Sequence, residues 1–198
     1  MATRRKVSNP LALAVLASLL ERPMHPYEMG RQLVERGKDR DFKFTRSSLY
    51  MVVDQCLRAG FCEEQETVRD TQRPERTVYR LTEPGRVELF DWLRELVAEP
   101  KSEYPAFGAA LSLLMVLNPA EAQELLERRR DVLQAQVEEI RTTRQGALDA
   151  GVAWFHLIEE DYRLTVTEAE LTFVTRLTDD IAKPDYAQTW HRYFGGKS

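Results

Sequence analysis

The chain has 198 residues and a formal net charge of −4, with 43% hydrophobic and 30% charged residues. This length is typical of one large or two small domains, and the hydrophobic content predicts a soluble globular protein with a buried core. The charge is divided unevenly, because residues 1–85 carry 15 basic against 12 acidic side chains and residues 86–198 carry 13 against 20. That asymmetry suggests an anion-binding front and an acidic remainder.

Two apolar runs have to be distinguished from export or membrane segments. The run from Leu11 to Leu20 follows a basic start and resembles a secretory signal, but no small-x-small cleavage site follows it. Asn9 and Pro10 before it are instead the typical cap and first turn of a soluble helix. The run from Phe107 to Leu117 is well short of the roughly 18 residues that a membrane span needs. We therefore expect no membrane segment and a cytoplasmic location.

Cysteine and histidine placement argues against a metal centre. Cys56 and Cys62 are the only cysteines and form no CxxC motif, so structural thiols in a reducing compartment are the favoured interpretation. His25, His156 and His191 are scattered singly rather than spaced as metal ligands. We predict neither a metal nor another cofactor.

Three helices are predicted in the first 60 residues. The first runs from about Pro10 to Leu20 and is apolar nearly all round, as in a helix that is buried on several sides. The second begins at Pro26 and ends at Gly37. Its inward-facing residues are predicted to be Tyr27, Gly30, Leu33 and Val34.

The third helix has Thr45 as its N-cap and Gly60 as its left-handed C-terminal stop. Leu49, Val52, Val53, Cys56 and Leu57 fall on one stripe that faces a core. The opposite side mixes hydroxyls, an amide, cations and a carboxylate, from Arg46, Ser47, Ser48, Tyr50, Met51, Asp54, Gln55 and Arg58. Such a face can read base edges and phosphates. The alternative is an ordinary solvated helix surface.

An extended hairpin follows, with strands predicted at Phe61–Val68 and Thr77–Thr82. Its turn is rich in arginine, with Arg69, Arg73 and Arg76. Thr82 then caps a further helix. The predicted core stripe of that helix is Val87, Phe90, Leu93 and Val97, with Trp92 off its edge. Helix, helix, helix, hairpin, helix is the order of a winged helix-turn-helix.

A second, helical region begins after the polar segment EPKSEYP. Asn118 to Glu121 reads as a capping box that opens a helix of about eight turns. Its predicted stripe is Leu125, Leu126, Val132, Leu133, Val137 and Ile140, and a last long helix carries Leu157, Leu164, Leu171, Val174, Leu177 and Ile181. Two antiparallel helices cannot cover such stripes alone, so we expect the same pair from a second copy, a two-fold arrangement suited to a palindromic operator.

The segments HPYEMGRQL, SSLY, LRAGF and RPERTVYRLTEPGR, in this order, resemble the PadR family of bacterial transcription regulators. The resemblance covers about half of the chain and implies a mainly α protein: a winged helix-turn-helix with a two-stranded wing, plus a C-terminal long-helix dimerisation domain. We expect a DNA-binding domain at residues 1–98, a linker at 99–106, a helical dimerisation and effector domain at 107–183 and a C-terminal tail at 184–198.

The expected function is a homodimeric DNA-binding repressor. The predicted DNA-binding residues are Lys43, Thr45, Arg46, Ser47, Ser48, Tyr50, Met51, Arg69, Arg73 and Arg76, although the wing arginines have the alternative of a solvated loop. A rival interpretation is a ligand- or protein-binding helical module that does not bind DNA, supported by the acidic total charge and by Asp54. An enzyme is not expected, since there is no GxSxG, P-loop or GxGxxG motif and no catalytic constellation.

The resemblance also implies an effector, because relatives of this kind respond to small aromatic molecules. Aromatic pockets with a few polar groups suit flat ligands. The candidate effector-binding residues are Trp92, Phe107, Trp154, Phe155, His156 and Tyr162. The alternative is that these rings are ordinary packing residues.

Overall fold

The computed structural model describes residues 5–68 and 76–194, and for residues 66–68 and 76 the backbone alone. The chain divides into two compact units, Met1–Ser102 and Glu103–Ser198. The division falls inside the segment predicted as a linker, residues 99–106.

The first unit is a winged helix-turn-helix, as predicted. Its elements are α1 (Leu11–Glu21), α2 (Pro26–Glu35), α3 (Arg46–Arg58), β1 (Cys62–Val68), β2 (Arg76–Leu81) and α4 (Glu83–Ala98), with a 3₁₀ turn at Lys38–Arg40. The hydrophobic core centres on α1, whose residues from Leu11 to Leu16 are all buried. The prediction that this helix is buried on several sides is therefore confirmed.

The wing is an antiparallel pair in which Cys62 lies opposite Leu81, with an irregularity between Glu64 and Glu66. A feature that the sequence did not indicate is an isolated bridge between Met24 and Tyr79. Each backbone N–H of this pair donates to the carbonyl of the other at 3.1 Å. The segment between α1 and α2 is thereby hydrogen-bonded to the wing, which fixes α2 relative to the hairpin.

Of two predicted faces in this unit, one is wrong in part and the other is wrong. In α2, Leu33 is buried as predicted, but Tyr27 and Val34 are exposed and Met29 is buried. In α4, the predicted stripe of Val87, Phe90, Leu93 and Val97 is exposed, whereas Gly85, Leu89 and Trp92 are buried. The reason in α4 is a close backbone contact, because a Cβ atom at Gly85 would lie only 1.9 Å from the Phe61 carbonyl oxygen. That contact turns residues 85, 89 and 92, which share one helix face, towards the core.

The second unit is helical, with α5 (Ala106–Ser112), α6 (Pro119–Asp149), α7 (Ile158–Ile181) and α8 (Pro184–Phe194), and 3₁₀ turns at Leu114–Val116 and Trp154–His156. The predicted N-cap of α6 is confirmed, because Asn118 Oδ1 accepts from the Glu121 N–H at 2.9 Å. Most of the segment predicted as a tail is α8, and its Trp190 indole donates to the Met115 carbonyl at 3.1 Å.

The two long helices of this unit are antiparallel and are joined along their length by three arginine–carboxylate pairs. These pairs are Arg129–Glu170, Arg141–Glu168 and Arg144–Asp161. Between the helices lies a core that includes Ala122, Leu126, Leu133, Val174 and Ile181.

Leu125 and Val132, which were predicted to belong to the buried stripe of α6, are exposed. Each stands next to a buried leucine in the sequence, about 100° further round the helix. A single partner helix covers only one of the two positions. Among the described residues, no helix has the length and apolar character required to cross a membrane.

Candidate nucleic-acid interface

The first turn of α3 is built by a reciprocal capping box. The Ser48 N–H donates to Thr45 Oγ1 at 3.1 Å, and the Thr45 N–H donates to Ser48 Oγ at 2.8 Å. Both hydroxyls were predicted to contact DNA, but here they satisfy backbone groups that the helix start leaves without partners. Their observed part in the site is therefore to fix the start of the helix.

The remaining predicted residues of α3 lie on its outer surface. Arg46, Ser47, Tyr50 and Met51 are exposed, and Lys43 is exposed just before the helix. Leu49, Val52, Val53 and Cys56 are buried on the other side, and Gly60 has the predicted left-handed φ of 78°. The helix therefore presents a guanidinium, a hydroxyl, a phenol and a thioether together, a set that can reach phosphates, base edges and thymine methyls.

Asp54 was the residue on this face that counted against nucleic acid. In the structure it forms an ion pair with Arg58, one turn further along α3. A like-charge penalty against phosphate is reduced when a guanidinium lies beside the carboxylate. The charge of Asp54 therefore does not leave this face acidic.

Sequence reasoning missed the contribution of α2. The Arg46 Cζ atom lies 5.1 Å from the centroid of the Tyr27 ring, and the rings of His25 and Tyr50 meet edge to face at 5.9 Å. The sequence signal was an aromatic residue in the first turn of the preceding helix. Residue spacing within α2 could not show that Tyr27 contacts a residue of α3.

A groove of about 320 Å³ runs between α2 and α3 beside this pair. Tyr27, Val34, Arg46 and Leu49 contribute to its walls. Gly30 allows the two helices to approach, since a Cβ atom there would lie 3.1 Å from Leu49 Cδ2. Gly30 therefore faces inward, as predicted.

Of the three wing arginines, one lies within the residues that the structure describes. Arg69 and Arg73 lie outside the residues that the structure describes. Arg76 is the first residue of β2, and its backbone pairs with Val68. Their contact with DNA stays a prediction.

The six candidate effector residues are distributed over both units. Trp92 is only 4% exposed in the core of the first unit, with the Arg5 guanidinium 5.3 Å from its ring. Phe107 belongs to the second unit, where the Arg129 guanidinium lies 3.6 Å from its ring. The 3₁₀ turn before α7 contains Trp154, Phe155 and His156, and Tyr162 lies on α7 itself. Trp154 is 65% exposed and Tyr162 is 71% exposed, while the Phe155 and His156 rings lie 4.4 Å apart.

A separate apolar cavity of about 220 Å³ lies within the first unit, between α1, α2 and α4. Its lining includes Leu13, Leu33 and Leu89 and, at the polar side, Glu21 and Arg36. Hydrogen bonding from the Arg36 guanidinium lowers the pKa of Glu21. None of the candidate effector residues lines this cavity.

Cys56 and Cys62 are free and buried. Burial raises the pKa of Cys56 to about 12 and that of Cys62 to about 11, so both remain neutral thiols near pH 7, which agrees with the predicted structural role. Within the described ranges, no cluster of three or more His, Cys, Asp or Glu side chains is arranged to hold a metal ion.

Residues 15–91 match the model of the transcriptional regulator PadR-like family. No curated protein shows a significant sequence match to the chain.

Solved structures with a similar fold cover most of the chain. Bacillus subtilis PadR in complex with operator DNA has a TM-score of 0.70 at 18% identity, covering 86% of this chain and 98% of that one. The same protein in complex with p-coumaric acid has a TM-score of 0.67 at 18% identity, covering 87% and 99%. The Vibrio cholerae virulence activator AphA has a TM-score of 0.65 at 16% identity, covering 86% and 97%. At these identities the similarity establishes a shared fold.

Proposed function

We propose, on the premise that residues 15–91 form a domain of the PadR-like family of transcriptional regulators, that this chain binds duplex DNA through α3. The observation that carries the proposal is the exposed face of α3, where Arg46, Ser47, Tyr50 and Met51 lie outside a capped and otherwise buried helix. Placed in the major groove, these groups meet guanine and phosphate acceptors and thymine methyls. We also propose a cytoplasmic location, because the proposed function requires access to DNA.

Selection of bound duplexes from a pool of random sequence, with the full-length protein, tests this proposal. We expect enrichment of an inverted repeat with half-sites about 34 Å apart, because a two-fold dimer presents its reading helices one DNA turn apart. Affinity should fall with salt, with a slope near −0.9 per neutralised phosphate. Retention of no duplex would contradict DNA binding and favour a helical module that binds a ligand or a protein.

Arg69, Arg73 and Arg76 extend the proposed interface to the DNA backbone or the minor groove. Support comes from the density of arginine in this part of the sequence, since Arg69 and Arg73 come between the two strands and Arg76 begins β2. Replacing Arg73 and Arg76 by alanine should weaken binding to all sequences and lower the salt slope by about one per arginine. Unchanged affinity at several salt concentrations would remove the wing from the interface.

The proposed assembly is a homodimer formed through α6 and α7. Leu125, Val132, Val166 and Phe173 are apolar side chains exposed on these two helices of the single chain. A second copy of the chain that packs against these helices would remove such exposed apolar side chains from water. Sedimentation analysis of the full chain should give the mass of two copies.

We also propose that the protein is a repressor that a small aromatic effector releases from DNA. The support is a protein of similar fold, B. subtilis PadR, whose structure contains p-coumaric acid. An effector must bind the DNA-incompetent dimer more tightly than the competent one, since equal affinity shifts nothing. Titration of hydroxycinnamates and planar cationic dyes should quench tryptophan fluorescence and displace DNA, with Trp154→Phe as the control. Quenching without release of bound DNA would show that Trp154 is an ordinary surface residue and not part of an effector site.

A further inference from the structure

We propose that Tyr27 is a positioning residue for DNA recognition, whose ring holds the Arg46 guanidinium in place for contact with DNA. This inference rests on the proposed DNA-binding function and adds a residue of α2 to the recognition surface. The distance of 5.1 Å from the Arg46 Cζ atom to the Tyr27 centroid is within the range of about 6 Å that a cation–π contact requires. Tyr27 is 44% exposed, so its ring is also accessible from solvent.

Arg46 needs such support because of its position in α3. It is the first residue of the helix, where the macrodipole disfavours a positive charge. Among the described residues no carboxylate forms an ion pair with it. The electron-rich face of the Tyr27 ring offsets part of this penalty. A guanidinium that lies over a ring can still donate hydrogen bonds from its N–H groups to a phosphate or guanine.

Hydrogen bonds and close packing fix the backbone on both sides of the Tyr27–Arg46 contact. His25 Nδ1 accepts a hydrogen bond from the Tyr27 N–H at 3.1 Å and so caps α2. The close approach of Gly30 to Leu49 sets the separation of α2 and α3. The capping box of Thr45 fixes the turn that carries Arg46. The guanidinium is thereby held before DNA arrives, which lowers the entropic cost of ordering a long side chain.

The first measurement tests the contact without DNA, by NMR of the full-length protein. In the wild type, the ring current of Tyr27 should shift the Arg46 Nε–H proton resonance upfield, and Tyr27→Leu should abolish the shift. Arg31, which lines the same groove but pairs with Glu35, should be unaffected. An Arg46 resonance that is the same in both proteins would overturn the cation–π contact.

The second measurement is the affinity of the variants for the duplex that the wild type enriches from the random pool. Tyr27→Leu should weaken binding about two- to five-fold, the effect of an exposed cation–π contact. Tyr27→Phe should bind like the wild type because it keeps the ring. In an Arg46→Gln background, Tyr27→Leu should have no further effect. Tyr104→Leu makes the same substitution at a tyrosine that is 94% exposed and lies outside this groove, and it should leave affinity unchanged.

The outcomes separate this inference from the proposed function. Normal wild-type binding with an unaffected Tyr27→Leu variant would overturn the positioning role alone. The positioning role would also be overturned if Tyr27→Leu weakened binding equally with and without Arg46, or if Tyr27→Phe bound DNA as weakly as Tyr27→Leu. In either case Tyr27 would contact DNA itself. Wild-type protein that retains no duplex would overturn the proposed function and this inference together.

Discussion

A single residue, Gly85, determines how α4 packs against the hairpin. Its missing Cβ atom would lie 1.9 Å from the carbonyl oxygen and 2.7 Å from the carbonyl carbon of Phe61. The same carbonyl accepts from the Thr82 N–H at 3.1 Å, and Thr82 Oγ1 accepts from the Gly85 N–H at 3.2 Å. The first turn of α4 therefore rests on the backbone at the start of the wing, and no side chain can be inserted between them.

Gly85→Ala should lower the free energy of unfolding by about 2–4 kcal/mol, because the added methyl group meets backbone atoms that cannot rotate away. Urea unfolding followed by circular dichroism measures this. Gly146→Ala is the matched control, since a Cβ atom there has nothing within 4 Å. In α6 the same methyl should leave stability unchanged or raise it by up to about 1 kcal/mol. Equal stabilities of the two variants would contradict the contact at Gly85.

The two cysteines should be inert in the native protein. A thiolate is the reactive form, and burial raises the pKa of Cys56 to about 12 and that of Cys62 to about 11, so at pH 8 nearly all of each thiol is protonated. Iodoacetamide should modify neither residue at pH 8 until urea unfolds the chain, as followed by intact-protein mass. Rapid modification of the folded protein at pH 8 would show that the first unit opens at this site.

At the scale of elements, helix ends could be predicted from the sequence more surely than buried faces. The predicted caps Thr45 and Asn118 are found, because each is a local arrangement of a few neighbouring residues. The face of α4 was missed because its sequence contains two apolar stripes, and the contact at Gly85 with a distant backbone selects between them. The same reason applies to the candidate site. The exposed face of α3 could be predicted from the pattern of α3 itself, whereas the Tyr27–Arg46 pair joins two helices.

Removal of the α3 cap should affect both stability and recognition. Thr45→Ala deletes the acceptor of the Ser48 N–H and should cost about 0.5–2 kcal/mol in the free energy of unfolding. Hydrogen exchange at the Ser48 amide should accelerate, and affinity for DNA should fall because the first turn holds Arg46. Thr45→Ser, which keeps the hydroxyl, should behave like the wild type. A slow Ser48 amide in Thr45→Ala would show that the cap is dispensable.

At the scale of the whole molecule, charge is distributed unevenly along the chain. Residues 1–85 carry a small excess of basic side chains, and residues 86–198 carry 20 acidic against 13 basic ones. A protein that binds DNA through its basic part keeps its acidic part away from phosphate, because like charges repel. The long helices of that acidic part carry the apolar side chains assigned to the proposed dimer.

If the proposed dimer forms through α6, Val132→Glu should disrupt it and weaken binding to a palindromic duplex. Val132 is 57% exposed on α6, so the substitution leaves the core of its own chain intact while placing a charge in the proposed interface. Sedimentation should show a monomer, and affinity for a duplex with two half-sites should fall more than about ten-fold, because the second half-site no longer benefits from a linked partner. Gln134→Glu adds the same charge roughly 160° away around the helix and should stay dimeric. A dimeric Val132→Glu variant with wild-type affinity would exclude this face of α6 from the assembly.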